Sequence, residues 1–140
     1  LGYIKEIDGL RHIALERFID LHTTNKKFEF PKDFVPRKYY ENVVGIYVNE
    51  ELPVVKLKIR VYGTQMEYMR MLPLHKSQRE VYSRHGEFAE FTYRVCLTPE
   101  LKSKILALGS NVEVLEPLEY REEIKKDIMA SLDRYLKNTQ

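Results

Sequence analysis

Arg11 and Arg17 flank a stretch in which Ile13 and Leu15 alternate with His12, Ala14 and Glu16. Read as a strand, that stretch places both arginines on one face, because their separation is even. Two guanidinium groups bounding an apolar strip can hold an anion, such as a nucleotide phosphate, through charge-assisted hydrogen bonds. The same arginines can instead pair at the surface with Glu6, Glu16 or Asp20. Residue types alone leave both readings open. A second cationic set is Lys56, Lys58 and Arg60, which alternate with Val55, Leu57, Ile59 and Val61. This period of two predicts a strand with chemically opposed faces. Arg94 is expected on the neighbouring strand, which would gather four cations on one sheet face, with Glu113 offsetting part of the charge. Such a face is either solvated or partner-facing, or it is an anion site. Base stacking would also need exposed aromatics there. Parity sends Phe91 and Tyr93 to the opposite face, which argues against RNA recognition.

Other chemistries find little support. His12, His22, His75 and His85 lack metal-ligand spacing, and Cys96 is the single cysteine. No Gly-x-Ser-x-Gly, phosphate-cradling glycine loop or His-Glu-x-x-His is present. No metal, cofactor or catalytic residue is therefore expected, and the chain reads as a non-enzyme. Its 23 basic and 21 acidic residues give a net charge of +2. Autonomous DNA-binding domains carry a stronger basic excess, since phosphate contacts dominate their affinity. With 44% hydrophobic and 31% charged residues the composition is that of a globular domain. No apolar run approaches the roughly 20 residues of a bilayer span, so no membrane partner is expected. One cysteine and no leader-like start fit a reducing cytoplasm. Because Leu1 opens directly into strand-like sequence, the chain is expected to be part of a longer protein.

These side chains need elements to position them. Asp8-Gly9 between Leu1–Ile7 and Leu10–Leu21 predicts a tight hairpin. Thr23-Thr24-Asn25 ends the second strand, and Phe28, Phe30, Pro31 and Phe34 form an aromatic connection. Arg37 to Val43 reads as a short helix stopped by Gly45. Gly63 closes the strand of Lys56 to Arg60. Thr64 is expected to cap a helix carrying Met66, Met69 and Leu72, ended by Pro73. Met66, Met69 and Met71 are expected to fill core space. Arg79 to Ser83 and Phe88 to Leu97 read as strands around a His85-Gly86-Glu87 turn. Thr98-Pro99 opens a helix with Leu101, Ile105 and Leu108 on one stripe, closed by Gly109. Val112, Val114 and Leu115 form a last strand. Pro117 opens a final helix with Ile124, Ile128, Leu132 and Tyr135 in register. From residue 53 the order is strand, helix, strand, strand, helix, strand, helix. That is the ferredoxin-like βαββαβ order, with both crossover helices on one face of a four-stranded antiparallel sheet.

Two stretches resemble a known family. Gly9-Leu10-Arg11-His12-Ile13-Ala14-Leu15-Glu16-Arg17-Phe18 resembles the segment after the Trp-Tyr-Leu strand of WYL domains. Phe28 to Phe34 and Gly45-Ile46 are similar to the lead-out of such domains. Residues 53 to 137 resemble the C-terminal extension called WCX. The parts most alike are Leu106-Ala107-Leu108-Gly109, Val112-Glu113-Val114-Leu115-Glu116-Pro117 and a terminal helix ending near Tyr135. Ala14 stands where many relatives carry arginine, and Glu16 stands for the usual aspartate. The resemblance implies an α+β chain, with a partial Sm-like/SH3-like β-barrel and its connection in 1–50 and a ferredoxin-like WCX extension with a C-terminal helix in 51–140. It implies the effector-sensing and oligomerisation region of a bacterial helix-turn-helix/WYL transcription regulator, which meets DNA only through an N-terminal domain outside this sequence. Arg11 and Arg17 carry over as effector contacts, with a nucleotide or nucleic acid as the effector class. A homodimer is expected through an open strand edge near Leu1–Ile7. The competing reading is a free-standing ferredoxin-like module binding a nucleotide or small ligand. An unrecognised enzyme on the same superfold also stays open.

Overall fold

The computed structural model describes residues 2–4, 6, 9–27 and 32–137. Asp8 of the expected hairpin turn, and Phe28, Phe30 and Pro31 of the aromatic connection, lie outside them. The chain forms two compact units, Leu1–Tyr40 and Glu41–Gln140.

In the first unit, β1 (Gly2–Ile4) pairs antiparallel with β2 (Gly9–Arg11), placing Gly2 opposite Arg11 and Ile4 opposite Gly9. The strand expected through Leu21 stops at Arg11. A strand persists only where a neighbour satisfies its N–H and C=O groups, and beyond Arg11 no described residue offers a ladder. The backbone instead closes on itself in a 3-10 turn at Leu15–Arg17. There Arg17 N–H donates to Ala14 O at 3.0 Å and Phe18 N–H to Leu15 O at 3.2 Å. Leu15, Ile19 and Leu21 are left exposed. Helix α1 is short, Pro36–Tyr39, with proline at its start. The expected continuation to Val43 is absent, and Val43 and Val44 are buried outside any helix.

The second unit holds a four-stranded antiparallel sheet. Its strands are β3 (Val54–Tyr62), β4 (Arg79–Arg84), β5 (Phe88–Cys96) and β6 (Val112–Glu116). They lie in the order β4-β5-β3-β6. Its helices are α2 (Gln65–Met71), α3 (Pro99–Ala107) and α4 (Leu118–Lys137). The whole is a mixed α+β chain with two antiparallel sheets and a C-terminal helix. Strict alternation gives the large sheet one oily face. Leu57, Ile59 and Val61 of β3, Ala89, Phe91, Tyr93 and Val95 of β5 and Val114 of β6 point into the core. Met66 and Met69 of α2, Leu101 and Ile105 of α3, and Tyr120 and Ile124 of α4 cover them. Residues 41–52 are laced to this unit. Glu100 accepts the Ile46 and Tyr47 N–H groups at 2.7 Å each, and Asn42 O accepts the Cys96 N–H at 2.7 Å. Gly45 sits at φ +99° beside the Glu100 carboxylate, where a side chain would collide with it.

Two helix details differ from expectation. Thr64 has helical dihedrals and its side chain makes no capping bond. Met71 and Leu72 are exposed, because α2 spans only two turns and Met71 lies about 200° round from Met69. By contrast Thr98 Oγ1 accepts the Leu101 N–H at 3.3 Å, and Gly109 follows α3 at φ +57°. Among the described residues no helix is long and apolar enough to cross a membrane.

Candidate functional site

Arg11 ends β2, and its Nη1 donates to Leu10 O at 2.8 Å. Arg17 lies in the 3-10 turn. Both are exposed. The expected common strand does not exist, so no strand face unites them.

The second cationic set is assembled as its alternation implied. In the β3–β5 register Lys56 faces Arg94, Lys58 faces Thr92, Arg60 faces Glu90 and Tyr62 faces Phe88. These side chains stand on the face opposite the helices. Glu90 is the member that sequence reasoning missed. It is only 6% exposed, yet it is charged and held from two sides. Lys58 Nζ lies 2.6 Å from one oxygen. Arg60 donates to the other through Nη2 at 2.6 Å and Nε at 3.1 Å. The hydrogen bonds from Lys58 and then Arg60 hold the Glu90 carboxyl below the ordinary range, although burial pushes the other way. The Glu90 hydrogen bond likewise raises the Arg60 guanidinium. The available signal was parity: Glu90 shares the alternation of Thr92 and Arg94, and pairing β3 with β5 sets it across from Arg60.

Glu113 also faces Arg60, across the β3–β6 register, but its oxygens serve other groups. Tyr62 Oη donates to it at 2.7 Å, and Arg121 Nη1 lies 2.7 Å from its other oxygen. The Tyr62 bond, then Arg121, lowers the Glu113 carboxyl against its burial. Glu113 therefore anchors Tyr62 and α4 more than it offsets the patch. Lys56 Nζ is 3.7 Å from Glu116, with both side chains at least half exposed, a pairing of little strength. Arg94 is exposed, and among the described residues no carboxylate pairs with it.

The open face also carries aromatics. Phe91 and Tyr93 point to the helices as expected, but Tyr62, Phe88 and Tyr82 do not. The Tyr62 and Phe88 ring centroids are 6.2 Å apart, and those of Tyr82 and Phe88 are 5.8 Å apart. The Arg60 guanidinium carbon sits 4.4 Å from the Phe88 ring centroid, within cation–π range. Tyr82 is 54% exposed. It reaches this face because β4 slips register between Glu80 and Tyr82, and such a bulge re-aims a side chain. Single-sequence parity cannot foresee that slip.

On the other side of the sheet a groove of about 480 Å³ runs between α3, β6 and α4. Ile105, Val112, Ile124, Ile128 and Met129 line it, with Arg121 at its margin. Its chemistry suits an apolar occupant. Among the described residues no group of three or more His, Cys, Asp or Glu side chains is placed to hold a metal ion.

Comparison with known proteins gives one finding. A family model described as WCX domain matches residues 53–132. No curated protein matches the chain.

Proposed function

The chain belongs to the WCX domain family, and from that premise we propose that it is the effector-sensing and oligomerisation region of a WYL-type transcription regulator. On this reading residues 51–140 form the ferredoxin-like extension. Residues 1–50 form the end of an Sm-like/SH3-like WYL barrel and its connection. A separate domain reads DNA, and the chain itself performs no catalysis. The strand order β4-β5-β3-β6, all antiparallel, supports the ferredoxin-like assignment, since two interleaved βαβ units produce that order.

The outer half of α4 carries the assembly reading. Ile128, Met129, Leu132, Tyr135 and Leu136 are 52%, 56%, 55%, 79% and 64% exposed. They follow the buried Tyr120 and Ile124 along the same helix. A run of large apolar residues facing water at helical spacing gains free energy when a second copy covers it. The proposed oligomer is a homodimer through this surface. Sedimentation velocity over a wide concentration range tests it. The expected result is a dimer for the natural chain and a monomer for Leu132→Glu, a change at an exposed site that spares the core. A natural chain that stays monomeric at high concentration removes the proposal.

Effector sensing then requires a ligand that binds two arrangements of the assembly unequally. Arg11 and Arg17 are proposed as its contacts in the complete WYL barrel, with a nucleotide or nucleic acid as the ligand class. Replacing either by alanine in the full-length regulator should weaken the response of a reporter without lowering the melting temperature. Unchanged reporter output in both variants would count against these contacts.

A further inference from the structure

We propose that the groove between α3, β6 and α4 binds a small amphiphile with one anionic end, a medium-chain carboxylate, whose tail lies along the apolar walls while Lys125 and Arg121 hold the carboxylate at the rim. The site is separate from Arg11 and Arg17, and it stands whether or not the chain dimerises.

The groove encloses about 480 Å³, within the roughly 300–1,000 Å³ of small-molecule sites. Ile124, 6% exposed, lies deepest, and Ile105, Val112 and Ile128 extend the apolar lining. Ile128 and Met129 are both more than half exposed, so a tail laid against them removes apolar surface from water. A partner helix, about 10–12 Å across with its side chains, fills such a volume within roughly one turn. It can lie over the groove, whereas an alkyl tail enters it.

Charge selects the other end of the ligand. Among the described residues the groove is lined by one acid, Glu113, and two cations, Arg121 and Lys125. Glu113 is already engaged: Tyr62 Oη donates to one oxygen at 2.7 Å, and Arg121 Nη1 lies 2.7 Å from the other. Arg121 also donates to the Val114 carbonyl through Nη1, and a guanidinium has five N–H donors. Lys125 pairs with Glu122 at 3.1 Å, with both side chains at least 60% exposed, a pairing of little strength. The rim thus carries a positive charge beyond what its own acid neutralises. Arg121 and Lys125 are four residues apart, as are Ile124 and Ile128, so the cationic pair and the apolar pair form neighbouring stripes of one helix. An anionic head beside an apolar tail matches those stripes, whereas a neutral apolar molecule leaves the cations unmet.

The test is isothermal titration calorimetry of the 140-residue chain with octanoate, octan-1-ol and octylammonium, which share a tail and differ in the charge of the head. At low salt octanoate is expected to bind at least about ten-fold tighter than octylammonium. Lys125→Glu should weaken octanoate about ten-fold, the scale of one hydrogen bond to a charged group, and leave octan-1-ol within about two-fold. Ser110→Phe, at an exposed position on the groove, sets a ring in the space and should abolish binding of octanoate and octan-1-ol alike. Unchanged circular dichroism excludes unfolding as the cause. Ile128 and Met129 also belong to the surface proposed for the homodimer, so the titration is repeated on Leu132→Glu, where octanoate should bind as it does to the natural chain. Octylammonium binding as tightly as octanoate overturns the proposal, as does octanoate binding indifferent to Lys125→Glu or to Ser110→Phe. An absence of octanoate binding to Leu132→Glu overturns it too. A natural chain that proves monomeric removes the dimer and leaves each of these outcomes with the same meaning.

Discussion

A carboxylate that is almost wholly buried is costly unless its partners are fixed, and Glu90 has both of them within 2.6 Å. Lys58 and Arg60 are a quarter to a third exposed at the side chain, so water screens part of the attraction. Hydrogen bonds to charged groups contribute about 1.5–3 kcal/mol in partly buried settings. Glu90→Gln should therefore cost roughly 2 kcal/mol at neutral pH, read from urea unfolding. The pH dependence follows from the direction of the shift. The folded Glu90 carboxyl lies below its ordinary value of 4.5, so its contribution is fully present above 4.5 and is lost as pH falls through the folded value. The natural chain and Glu90→Gln should differ by a constant amount above about pH 5, and their stabilities should converge in stronger acid. A gap that stays constant down to pH 2 would show that the pair is not the source. At this scale the sequence was half legible. The cations stand out by alternation, whereas nothing in the sequence singles out Glu90 until cross-strand pairing sets it against Arg60.

Elements were readable where the local pattern and the tertiary partner agreed. Val54–Tyr62 and Phe88–Cys96 alternate cleanly and are neighbours in one sheet, so period and pairing reinforce each other. Residues 12–21 alternate as well, but with no described neighbour the alternation had nothing to bind to and the strand failed. The two threonines ahead of helices make the same point about caps. Thr98 is extended, 1% exposed, and accepts the Leu101 N–H; Thr64 is already helical and its side chain makes no capping bond. Both precede a helical pattern, but Thr98 is buried, extended and followed by Pro99, whereas Thr64 is exposed and already helical. Thr98→Ala should destabilise by about 1 kcal/mol, while Thr64→Ala should stay within about 0.5 kcal/mol. Equal losses for the two in chemical denaturation would mean that capping does not explain the difference.

Across the whole molecule, burial is confined to one stretch of chain. Every residue buried among those described lies between Val43 and Ile124, and the first unit holds none. Hydrophobic burial is the main favourable term in folding, so the cooperative transition belongs to the second unit. Residues 41–52 belong with it, because Val44 joins its core and Glu100 clamps the backbone at Ile46 and Tyr47. A chain starting at Glu41 should accordingly unfold in one step with a melting temperature within about 5 °C of the full chain. For a domain of this size such a shift corresponds to about 1 kcal/mol. A chain starting at Val54 keeps the sheet strands but loses Val44 and the Glu100 clamp, and should melt well below both. Differential scanning calorimetry separates the three. If the chain starting at Glu41 fails to unfold cooperatively, the first forty residues contribute to the core in a way their exposure does not suggest. If the chain starting at Val54 matches it, the clamp is decoration and the sheet with its helices is self-sufficient.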